Sequence, residues 1–178
     1  MINLGRHSYI GAGCEIRGGG KGSIKGDVNI GAFSSLADNV KFEFLSQHQP
    51  NRVSTFPFLT KHWRVGKGDG FGVKSWEIKI GNDVWIGSRV TILAGADLGD
   101  GCVVGAFSVV AKSVPPYAVV VGNPAKVIKY RFTPDIIQAL LDIKWWNWSD
   151  DIIRSRLDDF YGNVELFVRK YGNSNKSN

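Results

Sequence analysis

The sequence is poor in cysteine and lacks long apolar runs, and each absence excludes a class of protein. Its two cysteines, Cys14 and Cys102, show neither CxxC nor metal-ligand spacing, so we expect two reduced core residues in a cytoplasmic protein. No stretch reaches the roughly 18 consecutive apolar residues of a transmembrane helix. The opening segment MINLGRHSYI contains no apolar run either and predicts no secretory signal.

Positive charge exceeds negative charge, but no segment concentrates it. The chain has 22 Lys and Arg against 16 Asp and Glu, a formal net charge of +6, which suggests an anionic or phosphate-rich partner. A nucleic-acid-binding surface would gather basic residues on one face, whereas the only cluster is a modest one at Lys126, Lys129 and Arg131. We therefore expect no nucleic acid as partner. Hydrophobic residues make up 43% of 178 positions, as in a single folded domain.

A six-residue repeat dominates the middle of the chain. From Ile80 the sequence divides into IGNDVW, IGSRVT, ILAGAD, LGDGCV, VGAFSV and VAKSVP, with an aliphatic residue first and usually Gly or Ala second. The N-terminal part repeats less cleanly, as LGRHSY, IGAGCE, IKGDVN, IGAFSS and LADNVK, with a two-residue register slip between Ile16 and Ile24. Both cysteines occupy the fifth position, which supports core roles for them.

A period of six fits neither a helix nor an alternating strand. A short strand followed by a tight turn makes one flat side, and three such sides close a triangular coil with the first-position aliphatics stacked inside. Glycine at the second position fits a sharp corner. The period leaves the handedness of the coil open, although the general crossover rule favours a right-handed one.

The pattern changes after Arg131. The segments TPDIIQALLDIKWW and SDDIIRSRLDDF have helical spacing, with capping signals at Thr133–Pro134 and Ser149–Asp150, and NVELFVRKYG predicts a last helix. We expect these helices to cover the open end of the solenoid, with Trp145, Trp146 and Trp148 packed inside. The chain thus divides into a β domain (1–131), a helical cap (132–172) and a disordered tail (173–178).

One long excursion, residues 43–77, interrupts the repeat. In solenoids such an insertion is usually a loop on the working face. It contains the histidines His48 and His62 together with several aromatic residues. A histidine can remove a proton from a hydroxyl near neutral pH. From its position alone, His48 is either such a base or an exposed loop residue.

The segment from IGNDVW to VIKYRF, with its PP turn and GNPAK, resembles the hexapeptide-repeat acyltransferases, whose coils are left-handed parallel β-helices. His48 followed six residues later by STFPF resembles the xenobiotic and polysaccharide O-acetyltransferase branch. That resemblance implies that His48 is the general base for direct transfer from acetyl-CoA, without an acyl-enzyme. It also places Ser54 and Phe56 beside the acceptor. The LSQ before His48 departs from the usual Gly- or Asn-rich approach, so the acceptor pocket is not defined.

The resemblance also implies a donor site. Ser88 and Ala106, 18 residues and therefore one coil apart, match positions that contact coenzyme A. Lys112, Lys126 and Lys129 match basic positions that meet its phosphates, although Ala111 stands where relatives have a threonine. Trp85 is expected to pack near the same slot. No metal is implied.

The resemblance further implies a homotrimer, in which His48 of one subunit faces the donor slot of a neighbour. The acceptor is expected to be a hydroxyl of a capsular or lipopolysaccharide precursor. The alternatives are an antibiotic such as a streptogramin or chloramphenicol, and then an amino sugar acetylated on nitrogen.

Two rival functions use similar coils. A carbonic-anhydrase-type hydratase needs three converging histidines, but His7, His48 and His62 do not recur at 18-residue intervals. An ice-binding solenoid should show a flat threonine-rich face, which this sequence does not have.

Overall fold

The computed structural model describes residues 1–18, 26–44, 48, 50–61 and 77–172. Its strands are β1 Ile2–Leu4, β2 Tyr9–Ile10, β3 Glu15–Arg17, β4 Asp27–Ile30, β5 Ser35–Leu36, β6 Lys41–Glu43, β7 Glu77–Ile80, β8 Trp85–Ile86, β9 Thr91–Leu93, β10 Asp97–Leu98, β11 Val103–Val104, β12 Val109–Val110, β13 Ala118–Val121 and β14 Lys126–Tyr130. Its helices are α1 Phe58–Lys61, α2 Pro134–Ile143, a 3₁₀ turn Trp145–Asn147, α3 Asp150–Ser155, α4 Leu157–Phe160 and α5 Val164–Tyr171. None of these helices is long and apolar enough to cross a membrane.

The strands form three flat sheets that are the sides of a triangular coil. Sheet A has the order β1-β4-β7-β10, sheet B has β2-β5-β8-β11-β13-β14, and sheet C has β3-β6-β9-β12. All neighbours are parallel except β13 and β14. Ile80 pairs with Leu98, and Trp85 pairs with Val103, each 18 positions along the chain. The three-sided coil predicted from the six-residue period is confirmed.

The first coil is longer than the hexads suggest. Leu4 pairs with Ile30 and Ile10 with Leu36, an offset of 26 positions rather than 18, so eight residues are inserted after β3. The first residue of the hexad expected from Ile24 lies outside the described residues, and its last three residues, Asp27–Asn29, belong to β4. The longer excursion enters at the same corner, between β6 and β7.

The first-position side chains fill the interior of the coils. Those from Ile30 to Val110 are at most 5% exposed, and Cys102 in the fifth position is 0% exposed. Cys14 is half-buried against the same core and is also a free thiol. Leu4 and Ile16 are 46% and 38% exposed, because the first coil has a neighbour on one side only. Gly87 lies so close to the next coil that a Cβ there would meet the Ala106 nitrogen at 2.6 Å.

The C-terminal helices lie alongside the coils, and not across their open end as expected. They contact the corner between sheets A and B, which we call the AB corner. Arg6 of the first coil hydrogen-bonds to Asp150. The Phe33 ring of the second coil lies 4.9 Å from the Trp145 ring, measured between centroids, and Tyr117 of the last coil belongs to the hydrophobic core of the helices. The helices dock at the AB corner because each of these side chains projects from it and makes an apolar or charged contact with them.

The tryptophans pack as predicted. Trp146 is 4% exposed, Trp145 lies 5.0 Å from Phe160, and Trp148 stacks on Phe167 at 5.9 Å between ring centroids. The predicted capping signals occupy the N-caps of α2 and α3, and Ser149 Oγ accepts a hydrogen bond from Ile152 N. The predicted tail, residues 173–178, lies outside the described residues.

Candidate active site

The candidate base stands on the excursion that leaves the corner between sheets C and A, the CA corner. His48 is exposed, and its Nδ1 lies 2.6 Å from the carbonyl oxygen of Thr55. Because a carbonyl can only accept, Nδ1 carries the proton in this contact. The neutral imidazole then has its lone pair on Nε2, and this nitrogen can take a proton from a hydroxyl.

The residues after His48 form a short turn with an apolar surface. Ser54 Oγ accepts a hydrogen bond from Phe56 N at 3.1 Å, so this hydroxyl supports the turn. The Phe56 and Phe58 rings meet edge to face at 4.8 Å and are 50% and 39% exposed. Val53 is fully exposed beside them. This apolar surface next to His48 can contact an acceptor.

A buried glutamate, which the sequence analysis did not single out, anchors the root of the excursion. Glu43 ends β6 and is 8% exposed, and its Oε1 accepts from Arg17 Nη1 at 3.3 Å. Its Oε2 is buried and has no hydrogen-bond partner in the described part of the chain. In the sequence, the only sign of this buried carboxylate is that a charged residue directly follows Phe42, which lies in the core.

The predicted donor contacts Ser88 and Ala106 lie together at the corner between sheets B and C, the BC corner. They occupy successive coils, and Phe107 N donates to the Ser88 carbonyl at 3.0 Å. Ala106 is exposed and Ser88 half-buried. Both side chains are small, as a close contact with the narrow thioester arm of a donor would require.

The three predicted phosphate-binding lysines do not share one corner. Lys126 follows Ala125, whose N donates to Val109 O at 2.9 Å, which places Lys126 near the BC corner in the last coil. Lys112 follows β12 at the CA corner, and Lys129 lies in β14 opposite Val119. All three lysines are exposed. The chain therefore places Lys126 near the BC corner and Lys112 on the far side of sheet C.

His48 and the donor contacts lie on different corners of the same chain. The His48 excursion leaves the CA corner, whereas Ser88 and Ala106 lie on the BC corner. One side of a coil, about six residues, separates these corners by at most about 20 Å. A base and a slot on opposite corners of one chain can meet if two copies pack side by side.

The remaining candidates have other surroundings. His7 Nε2 lies 2.9 Å from Asp150 Oδ1, a contact between the first coil and the helices, and His62 lies outside the described residues. Trp85 is 59% exposed on the outer face of sheet B, so the expectation that it packs is wrong within a single chain. No group of three or more His, Cys, Asp or Glu side chains that could hold a metal occurs in the described ranges.

A half-buried ion pair and a buried thiol lie at the AB corner, away from Ser88 and Ala106. Burial raises the pKa of Asp83. The guanidinium of Arg131, whose Nη1 lies 2.9 Å from Asp83 Oδ2, lowers this pKa but does not cancel the effect of burial. Burial also raises the pKa of the Cys102 thiol to about 12. A thiol that remains protonated at neutral pH is a poor nucleophile, so Cys102 is unsuited to carry an acyl group.

The chain is similar to known transferases over most of its length. A family model described as bacterial transferase hexapeptide (six repeats) matches residues 77–112. A probable macrolide acetyltransferase of Lysinibacillus sphaericus is 37% identical over 155 residues, 80% of this chain and 78% of the relative. A chloramphenicol acetyltransferase of Klebsiella aerogenes is 39% identical over 146 residues, 80% of this chain and 70% of the relative.

Two solved structures share the fold. A polySia-specific acetyltransferase is 29% identical with a TM-score of 0.51, and the match covers 74% of this chain and 52% of that one. A hexapeptide-repeat acetyltransferase from Vibrio cholerae in complex with acetyl coenzyme A is 26% identical with a TM-score of 0.55, and the match covers 74% and 61%. The chain thus spans about half to three fifths of these two structures. Coils, family match and relatives together confirm the left-handed parallel β-helix and the enzyme class, and the chain belongs to the hexapeptide-repeat acetyltransferases.

Proposed function

We propose that the protein transfers an acetyl group from acetyl-CoA directly to a hydroxyl group, with His48 as general base. The donor is acetyl-CoA, which is bound in the similar Vibrio cholerae acetyltransferase. The observation that carries the role of His48 is the 2.6 Å contact from its Nδ1 to the Thr55 carbonyl. This contact fixes the tautomer that leaves Nε2 as the proton acceptor.

The reaction needs one proton carrier. His48 Nε2 removes the proton of the acceptor hydroxyl, and the oxygen attacks the carbonyl carbon of the thioester. The C–S bond then breaks, and the coenzyme A sulfur leaves with the proton that the imidazolium returns. The acceptor gains an acetyl ester and coenzyme A leaves as a free thiol. The exposed position of His48 lets a separate molecule bring the hydroxyl to it.

Coenzyme A is proposed to lie along the BC corner. Ser88 and Ala106 contact its thioester arm, and Lys126 meets its phosphates at the last coil. An ammonium group suits phosphate as a point charge. Lys112 lies across sheet C and Lys129 within β14, so we assign them weaker contacts at the edge of this site.

The acceptor is proposed to be a saccharide of the cell envelope. The support is the similarity to the polySia-specific acetyltransferase and the formal charge of +6, which favours an anionic partner. An antibiotic is the second candidate, because the relatives at 37% and 39% identity are named macrolide and chloramphenicol acetyltransferases. The exposed apolar surface of Val53, Phe56 and Phe58 suits either a sugar ring or an antibiotic.

The working enzyme is proposed to be a homotrimer with the site between subunits. On the outer face of sheet B, the side chains of Tyr9 and Trp85 are 61% and 59% exposed. They belong to one row of residues paired across neighbouring strands, in the order Tyr9, Ser35, Trp85, Val103 and Val119. The outer face of sheet A is instead polar. Its residues in register are Asn3, Asn29, Lys79 and Asp97. An apolar face of this kind is typical of a contact between subunits. We place the enzyme in the cytoplasm, which suits its two free cysteines.

One assay tests the function. The protein is incubated with acetyl-CoA and a panel of envelope oligosaccharides, chloramphenicol, a macrolide and a streptogramin, and free thiol and acetylated product are measured. We expect thiol release that depends on a hydroxyl-bearing acceptor and is lost in His48→Ala. Acceptor-dependent release that His48→Ala leaves intact would refute the role of His48. Acetylation of antibiotics but of no saccharide would replace the first acceptor by the second.

A further inference from the structure

The BC corner carries two bulky residues in an unfavourable backbone conformation. In each of the first four coils the BC corner has one residue with positive φ, and these are Gly13, Asn39, Arg89 and Phe107, with φ of 71°, 60°, 58° and 62°. Glycine and asparagine tolerate this region, whereas Arg and Phe do not favour it. Residues held in such conformations cluster at functional sites, so these two need a reason.

The equivalent residues at the AB corner have an evident reason. His7, Phe33 and Tyr117 also have positive φ, from 56° to 59°. His7 meets Asp150, Phe33 packs on Trp145 at 4.9 Å, and Tyr117 is 1% exposed in the helical core. At that corner a bulky side chain is used to hold the helices.

Among the residues that the structure describes, no such contact to the helices explains Arg89 and Phe107. Phe107 is 65% exposed, Arg89 is exposed, and the Arg89 guanidinium lies 5.5 Å from the centre of the Phe107 ring. Within the described ranges of the chain, neither Arg89 nor the nearby Lys41, which pairs in register with Thr91, forms an ion pair. Asp38, whose carbonyl oxygen accepts from Arg89 N at 3.0 Å, uses its carboxylate to accept a hydrogen bond from Ala12 N. In the described part of the chain, an arginine without an ion pair and an exposed phenyl ring thus stand directly after Ser88 and Ala106.

We propose that Arg89 and Phe107 form a subsite for a carboxylate-bearing saccharide acceptor. A guanidinium can donate two parallel hydrogen bonds to a carboxylate, and the exposed ring offers an apolar face to the sugar. This inference rests on the proposed function and specifies its acceptor as an acidic sugar.

The order of residues along the corner assigns this subsite to the acceptor and not to the donor. Lys126, the proposed phosphate contact, lies beyond Ala106 in the last coil. Arg89 lies one coil before Phe107, at the opposite end of the pair formed by Ser88 and Ala106. If the phosphates lie at Lys126, the thioester end of the donor points towards Arg89. A group bound by Arg89 is then beside the thioester that the acceptor attacks.

Matched acceptors test the subsite. Steady-state kinetics are measured with a uronic-acid-containing oligosaccharide and with the same oligosaccharide after reduction of its carboxyl groups. The variants are Arg89→Gln, Arg89→Lys and Phe107→Leu, and Arg154→Gln on α3 is the control for an exposed arginine. We expect Arg89→Gln to raise KM about tenfold for the acidic acceptor and to change KM for the neutral one and for acetyl-CoA less than about twofold. Arg89→Lys should recover part of the loss, because it keeps the charge without the paired donors.

Several results would overturn the proposal. An equal rise of KM for the acidic and the neutral acceptor would show that Arg89 does not recognise the carboxylate. A rise of KM for acetyl-CoA would assign the pair to the donor phosphates instead. If the wild type acetylates saccharides without preferring the acidic one, this inference fails while the proposed function stands. If it acetylates only antibiotics, the saccharide acceptor and this subsite fail together.

Discussion

His48 Nδ1 lies 2.6 Å from the carbonyl oxygen of Thr55, seven residues later in the same excursion. The backbone therefore holds the imidazole through the nitrogen that does not react, and this contact fixes the tautomer. We predict that His48→Ala lowers kcat by about 10² to 10⁴ and leaves KM for acetyl-CoA almost unchanged, because only proton transfer is lost. Initial rates of thiol release at saturating acetyl-CoA measure this.

A second histidine provides the control for that experiment. His7→Gln removes a contact to Asp150 at the AB corner, away from the excursion. It should lower the thermal midpoint and leave kcat unchanged. If both variants lost activity equally, the loss would report folding and not base catalysis.

Lys126 is predicted to dominate the phosphate contacts of the donor. Lys126→Ala should raise KM for acetyl-CoA about 3- to 10-fold, and Lys112→Ala and Lys129→Ala should raise it less, because these lysines lie away from the BC corner. Acetyl-pantetheine, which lacks the nucleotide phosphates, should react equally well with all three variants. The control is Lys79→Ala on sheet A, a lysine already paired with Glu77 at 3.3 Å. An effect of Lys126→Ala on acetyl-pantetheine would contradict the assignment.

The apolar outer face of sheet B is predicted to hold subunits together. Trp85→Asp places a charge on a side chain that is 59% exposed in the single chain, so it should disturb association far more than folding. Light scattering after size-exclusion chromatography should show a trimer for the wild type and smaller species for the variant. Asn3→Asp on the outer face of sheet A is the matched control and should remain trimeric. A trimer that persists in Trp85→Asp would exclude this face as the interface.

The ion pair of Asp83 and Arg131 is predicted to stabilise the AB corner in a pH-dependent way. Arg131→Met leaves a half-buried carboxylate without its partner and should lower the free energy of unfolding by about 1–2 kcal/mol at pH 7. Burial already raises the pKa of Asp83, and loss of the guanidinium raises it further, since Arg131 lowers it in the wild type. Protonation then removes the unpaired charge, so the difference from wild type should shrink between pH 7 and pH 5. Urea unfolding at both pH values checks this, and a difference that grows on acidification would refute it.

Asp150 should show the opposite pH dependence. The hydrogen bond from His7, together with the charges of His7 and Arg6, lowers the pKa of this carboxyl. The folded state then binds the proton less tightly than the unfolded state, so the stabilisation is present above the ordinary aspartate pKa and is lost as the pH falls through the folded value. Asp150→Asn should therefore lower the thermal midpoint at pH 6–7, with a difference that disappears in strong acid. Asp151→Asn, in the same helix but 95% exposed, should have little effect.

The coil was predictable because its cause is local. Each hexad needs only an aliphatic residue for the interior and a small one for the corner, so Ile80, Ile86 and Ile92 determine three sides without reference to distant residues. That Ser88 and Ala106 lie side by side was predictable for the same reason, since a spacing of 18 is one turn of the coil. Their role as donor contacts was implied by the family resemblance alone and stays a prediction.

Other features depend on contacts that no local pattern contains. The offset of 26 residues between the first two coils is one such feature, because strand pairing, and not the hydrophobic spacing, decides which residues form a side. The helices were predicted at their positions in the sequence, but not along the AB corner. Their docking depends on side chains such as Arg6 and Phe33, which lie more than 100 residues away.

The sequence by itself determined the coil, the excursion with His48 and the C-terminal helices, because each follows from spacing within a few tens of residues. Only the tertiary structure showed that Thr55 orients His48, that Glu43 is buried at the root of the excursion, and that Arg89 and Phe107 meet on an open corner. The physical reason is that hydrophobic periodicity encodes which face is buried. The position of one corner relative to another is decided by the long-range register of the strands.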